Sequence, residues 1–163
     1  EYLGKHDVLT QLRNRTFYVE ELNRITRKGP WPLSVITIDL NGLKVINDEH
    51  GHAAGDALLR RAGEVLSKAV DSSGCAARIG GDEFSVLLPG ADERAAQTVM
   101  EHVTSLQELN HQLYPGQLLS LAMGLAVACD GAAVTAAVHQ ADIAMYEVKA
   151  HYYESRGADR RQR

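Results

Sequence analysis

Two rhythms of apolar and polar residues alternate along the chain. Residues 17–27 read as a helix, stopped by Lys28-Gly29-Pro30. The β-branched run Leu33-Ser34-Val35-Ile36-Thr37-Ile38-Asp39-Leu40 predicts a strand that ends beside a carboxylate, followed by a turn through Asn41-Gly42-Leu43-Lys44. After Gly55, residues Leu58, Leu59, Ala62, Val65, Leu66, Ala69 and Val70 recur at helical spacing, which makes one core-facing stripe. Short apolar runs at 75–79 and 84–88 flank Gly80-Gly81, a hairpin signal, because such turns need backbone conformations that glycine adopts cheaply. An amphipathic helix over 95–113, a strand over 118–128 and a helix over 132–149 complete the pattern. The order βαββαβ predicts a mostly antiparallel sheet with helices packed on it. A chain of 163 residues with 45% hydrophobic content suffices for one compact domain.

The candidate chemistry lies where this pattern carries acid. Asp82 and Glu83, adjacent like charges at the hairpin tip, repel each other unless a cation or solvent offsets them. A solvated turn is the simpler reading, since glycine and aspartate favour turns for local reasons. If the strand ending at Asp39 pairs beside the hairpin, however, Asp39 joins Asp82 and Glu83 at one edge of the sheet. Such an oxygen-only set favours Mg2+ or Mn2+ over zinc, and the bare backbone at Gly80 and Gly81 lets a flat ligand approach.

Bulk properties narrow the partners. A net charge of −4 gives no reason to expect a nucleic-acid surface, and the basic end (Arg156, Arg160, Arg161, Arg163) reads as a short tail. Cys75 and Cys129 lack metal-ligand spacing and read as buried thiols in a reducing, cytoplasmic setting. His50 and His52 have no partners at zinc-ligand spacing and read as support for their loop, while Trp31, Tyr152 and Tyr153 read as packing residues. No apolar stretch approaches the roughly 20 residues of a membrane helix.

With Asp39-Leu40-Asn41-Gly42-Leu43-Lys44-Val45-Ile46-Asn47-Asp48-Glu49-His50-Gly51-His52-Ala53-Ala54-Gly55-Asp56 added to the hairpin, the chain resembles the GGDEF family of diguanylate cyclases. Asp7-Val8-Leu9-Thr10-Gln11-Leu12-Arg13-Asn14-Arg15 is similar to the family's amino-terminal signature, and Ala141-Asp142-Ile143-Ala144-Met145-Tyr146-Glu147-Val148-Lys149 to its last helix. The resemblance implies a palm-like α/β fold with a central sheet of about five strands. It implies one domain over residues 1–163, excised from a longer sensor protein whose upstream segments could carry a membrane anchor, with 1–6 the end of a linker helix and 151–163 a tail.

The resemblance also implies a reaction and roles. Two GTP molecules would condense to cyclic di-GMP and two pyrophosphates at the interface of an antiparallel homodimer. Asp39, the Leu40 carbonyl, Asp82 and Glu83 would hold Mg2+ or Mn2+, about two ions per GTP. Asp82 or Glu83 would accept the hydroxyl proton, with Asp82 favoured. Lys44 and Lys149 would reach the phosphates, beside Gly42, Leu43, Gly80 and Gly81, and Asn47 and Asp56 would read guanine. Taken alone, Asn47-Asp48 reads as a turn or cap, and Asp56 as a helix cap. The alternative function is an inactive module that binds GTP or cyclic di-GMP.

Three departures qualify the resemblance. Asp71 and Gly74 stand where many members carry the Arg-x-x-Asp product-inhibition site, which is therefore expected to be absent. Asn41 replaces a frequent second aspartate. After Lys149 the chain reads Ala150-His151-Tyr152-Tyr153 in place of the family's glycine and arginine, so an arginine contact is missing and the tail is expected to continue as helix.

Overall fold

The computed structural model describes residues 2–161. In chain order the elements are α1 (Tyr2–Lys5), α2 (Arg15–Lys28), β1 (Leu33–Leu40), α3 (Leu43–His50), α4 (His52–Val70), β2 (Cys75–Arg78), β3 (Glu83–Pro89), α5 (Glu93–Leu113), β4 (Leu121–Ala128) and α6 (Val134–Arg161). Side-chain caps set two helix starts: Asn14 accepts from the Phe17 amide at α2, and Asp92 from the Ala95 amide at α5. The sheet order is β2-β3-β1-β4, and every neighbouring pair is antiparallel.

This is the expected mixed α/β architecture, with one correction. Among the described residues the sheet has four strands rather than about five, because the chain after Lys149 continues α6 to Arg161 instead of turning back as a strand. The expected helical continuation is thus present. A second correction concerns the thiols: Cys75 is half-buried, but Cys129, just past the end of β4, is exposed.

All eight residues of β1 are buried, since helices cover both of its faces. Strand alternation splits them. Ile36, Ile38 and Leu40 join Phe84, Val86 and Leu88 of β3 under α4 and α5, packed against Leu58, Leu66 and Val103. Leu33 and Val35 join Leu87 on the other face, against Tyr18 and Ile25 of α2 and Val134, Ala137 and Ala141 of α6. Asp39 and Glu83 have the parity of this second set, so both lie on the α6 face.

Gly124 on β4 decides how closely α6 approaches. A Cβ there would stand 2.2 Å from the Ala141 carbonyl oxygen and 2.3 Å from the Met145 amide nitrogen. Only a bare backbone lets the helix lie this near the strand, and one turn beyond Met145 the same helix delivers Lys149 to the sheet's acidic end. Elsewhere, buried Arg61 fixes the α5–β4 connection by donating to Asn110 Oδ1 at 2.8 Å and to the Gln117 carbonyl at 2.9 Å. No helix among the described residues is long and apolar enough to cross a membrane.

Candidate active site

Register builds the acidic end. Asp39, the penultimate residue of β1, lies directly opposite Glu83, the first residue of β3. The Leu40 amide donates to the Asp82 carbonyl at 2.9 Å, which ties the hairpin tip to the end of β1. The tip itself is pinned by Arg78: Nε donates to the Gly80 and Gly81 carbonyls at 3.1 and 3.2 Å, and Nη2 to Gly81 at 2.8 Å. Nη1 of the same guanidinium reaches Asp7 at 3.4 Å. Burial would raise the Asp7 carboxyl, but hydrogen bonds from Thr10 and the charge of Arg78 outweigh it and hold the group below its ordinary value. The amino-terminal signature and the hairpin motif are thereby one structural unit.

Lys149 bridges the acids. Its Nζ lies 2.7 Å from Asp39 Oδ2 and 3.5 Å from Asp82 Oδ2. Asp39 Oδ1 is buried and has no hydrogen-bond partner. Burial raises the Asp39 carboxyl, Lys149 pulls it back, and Asp82 and Asp142 add to the rise, which is the net result. Glu83 is raised as well, by burial first and then by Asp39, Asp142 and Asp82, against a small pull from Arg15. Burial lowers Lys149, yet its hydrogen bond and charge interaction with Asp39, helped by Asp82 and Tyr153, leave it raised. One ammonium therefore faces an excess of negative charge.

That excess, together with an orphaned buried carboxylate oxygen, fits a hard divalent cation bound by oxygen ligands. The carboxylates are not drawn into a chelating cluster: among the described residues no three His, Cys, Asp or Glu side chains are arranged to hold a metal ion. Lys149 is the cation they share in this arrangement. His50 and His52 are exposed and belong to no such cluster.

Asp39, Asp82, Glu83 and Lys149 thus come together as their sequence positions suggest, and the exposed Gly80 and Gly81 form the hairpin tip beside them. Lys44 and Asn47 lie on α3 and Asp56 on α4, the two helices that follow the Asn41-Gly42 turn. Residues 43–50 are a helix, α3, rather than a turn, and Asn47-Asp48 lies within it. Asp56 is exposed on α4, which begins at His52 with Gly51 in the cap position, so Asp56 does not cap that helix. The two helices meet at Asn47. Its Oδ1 is buried without a partner, and a Cβ on Gly55 would stand 1.9 Å from it. Gly55 is the seat on which the Asn47 carboxamide rests.

Two residues enter the site that the motif reading passes over. Asp142 adds a fourth carboxylate to the electrostatics of Asp39 and Glu83. The signal for it is its separation from Lys149, two helical turns, which puts both on one face of α6. Tyr153, read as packing, instead accepts a hydrogen bond at its hydroxyl from the Gly42 amide at 3.1 Å.

An antiparallel sheet whose two central strands bring carboxylates to one end, crossed there by a lysine-bearing helix, defines a mixed α/β domain with an acidic sheet end. The family described as "Diguanylate cyclase, GGDEF domain" matches residues 4–154, and the chain belongs to it. It is 34% identical over 154 residues to a probable diguanylate cyclase, DgcE, of Escherichia coli, covering 91% of this chain and 14% of DgcE. It is 37% identical over 151 residues to the diguanylate cyclase TpbB of Pseudomonas aeruginosa, covering 88% of this chain and 35% of TpbB. The solved GGDEF domain of TpbB superposes with a TM-score of 0.75 at 35% identity, covering 90% of this chain and 89% of that one. The chain thus spans well under half the length of these curated relatives.

Proposed function

We propose that this chain is an active diguanylate cyclase domain, joining two GTP molecules into cyclic di-GMP with release of two pyrophosphates. The observation that carries the reading is the Asp39–Glu83 register pair, with Asp82 beside it, Lys149 against it and one buried Asp39 oxygen left without a partner. A polar end of this kind has no structural use that an apolar pair would not serve better, and its donors suit a metal-bound triphosphate.

Asp39, the Leu40 carbonyl, Asp82 and Glu83 would hold Mg2+ or Mn2+, about two ions per GTP. When bound, the ions would supply charge neutralisation around the α-phosphate and the departing pyrophosphate. Lys149 would move from Asp39 to the phosphates, joined by Lys44 and by the Gly42 and Leu43 backbone. Asn47 and Asp56 would select guanine through its N–H donors. The 3′-hydroxyl of each GTP attacks the α-phosphate of the other, its proton passes to Asp82 or Glu83, and the bond to pyrophosphate breaks. Because each domain holds one GTP, two copies must face each other, and an upstream domain in the longer protein would govern that encounter.

Product feedback through an Arg-x-x-Asp site has no support here. Beyond the missing residue types, a Cβ at Gly74 would stand 2.1 Å from the Leu87 carbonyl oxygen, so an aspartate there requires the backbone to move.

Concentrated protein incubated with GTP and Mg2+, with products resolved by chromatography and mass across a protein dilution series, tests the reading. Cyclic di-GMP whose yield per protein falls on dilution is expected. Saturable GTP binding without product, even after dimerisation is forced by a fused coiled coil, would replace the cyclase with a nucleotide-binding module.

A further inference from the structure

Helix α6 occupies the candidate nucleotide site at two points rather than one. Lys149 and Tyr153 are one turn apart on the same helix face. Lys149 reaches Asp39 and Asp82, while the Tyr153 hydroxyl accepts from the Gly42 amide at 3.1 Å. The two contacts are linked, since Lys149 Nζ lies 5.9 Å from the centroid of the Tyr153 ring. Tyr152 reinforces the cover: a Cβ added to Gly42 would stand 3.5 Å from its hydroxyl oxygen. Both tyrosines, with Arg156, line a cavity of about 350 Å3 against Gly42, Val45 and Ile46.

Gly42 lies at the N-cap of α3, where amides are left without helical partners and present themselves to anions. The neighbouring Asn41 amide is already committed to the Ser120 carbonyl, so Gly42 is the first free donor of the turn and Tyr153 has taken it. We propose that Tyr153 sets the nucleotide affinity of this domain by competing with a substrate phosphate oxygen for the Gly42 amide. The inference rests on the reading of this turn as the phosphate-binding segment of a cyclase. Tyr153 is 42% exposed, so its ring has room to swing into solvent when a triphosphate arrives, and a phosphate oxygen makes the stronger acceptor. Substrate entry then breaks a contact that the nucleotide-free domain already holds.

Removing the hydroxyl alone, in Tyr153→Phe, keeps the ring over Lys149 and frees the amide. Binding of 3′-deoxy-GTP with Mg2+, which cannot be turned over because it lacks the attacking hydroxyl, is expected to tighten by about three- to tenfold. KM for GTP falls with it, and the Gly42 amide exchanges its hydrogen faster in the nucleotide-free variant than in the wild type. Equal affinity in the two proteins overturns the proposal. Weaker binding by the variant also overturns it, and would make the hydroxyl a direct phosphate contact. An unaltered Gly42 exchange rate shows that the hydrogen bond is not held in solution and overturns the proposal too. Tightened analogue binding with no cyclic product from either protein would instead leave the competition standing and remove the cyclase reading.

Discussion

The two faces of one strand follow different rules. Ile36, Ile38 and Leu40 of β1, with Phe84, Val86 and Leu88 of β3, meet apolar side chains of α4 and α5. On the opposite face the same two strands carry Leu33, Val35 and Leu87 toward one end of the sheet and Asp39 and Glu83 at the other, where burial and neighbouring carboxylates raise both carboxyls. The first face lowers the free energy of folding along its whole length. The second gives up that gain at one end and keeps carboxylates that Lys149 offsets only in part, and the proposed site rests on that excess.

Phe84→Ala breaks the apolar face and is expected to cost about 3–5 kcal/mol of stability in urea titrations. A loss under about 1 kcal/mol would mean that this face is not the principal core. Asp82→Ala tests the other face in the opposite sense: turnover falls by on the order of 100-fold or more, while the melting temperature stays close to that of the wild type. Unchanged turnover removes Asp82 from the metal-holding set.

Gly55→Ala probes the α3–α4 seam that carries the candidate base readers. The new Cβ displaces the Asn47 carboxamide, with an expected cost of about 1–3 kcal/mol and a reduced preference for GTP over ATP. Repeating the change in an Asn47→Ala background should shrink the stability cost, because the group that clashes is gone. Equal costs in both backgrounds would show that Gly55 serves helix packing alone.

Glu83→Gln is the mildest change. The folded chain binds a proton at Glu83 more tightly than the unfolded chain does, so this group's contribution is most favourable below its ordinary value of 4.5 and declines as pH rises through the raised one. The variant should therefore melt higher than the wild type at neutral pH, and the gap should narrow as pH approaches 4.5. A constant gap, or a reversed one, contradicts the charge excess at this end of the sheet.

Much of this division is visible in the amino-acid pattern. The stripe from Leu58 to Val70, the β-branched run of β1 and the Gly80-Gly81 turn each carry a strong local period or a strong local breaker, and each forms the expected element. Helix α3 escapes the pattern because none of its residues is fully buried: it shows no full apolar stripe, only Leu43 and Ile46 packed in part against the core, and glycines bound it at both ends. The fifth strand is an expectation from resemblance alone, and nothing in Ala150-His151-Tyr152-Tyr153 breaks a helix. Exposure of Cys129 reflects its place just past β4, a distinction that alternation cannot make. Asp39, Asp82, Glu83 and Lys149 are legible because motif spacing and strand parity agree. Tyr153 is not, because its partner is a backbone amide 111 positions away in sequence.

The most direct test of the charged face is the rise in melting temperature produced by Mg2+ together with 3′-deoxy-GTP, compared between the wild type and Asp39→Asn. The account predicts a rise in the wild type that grows with ligand concentration and is largely lost in the variant. An equal rise in both proteins would place metal and nucleotide elsewhere and contradict the assignment of the acidic end as the site.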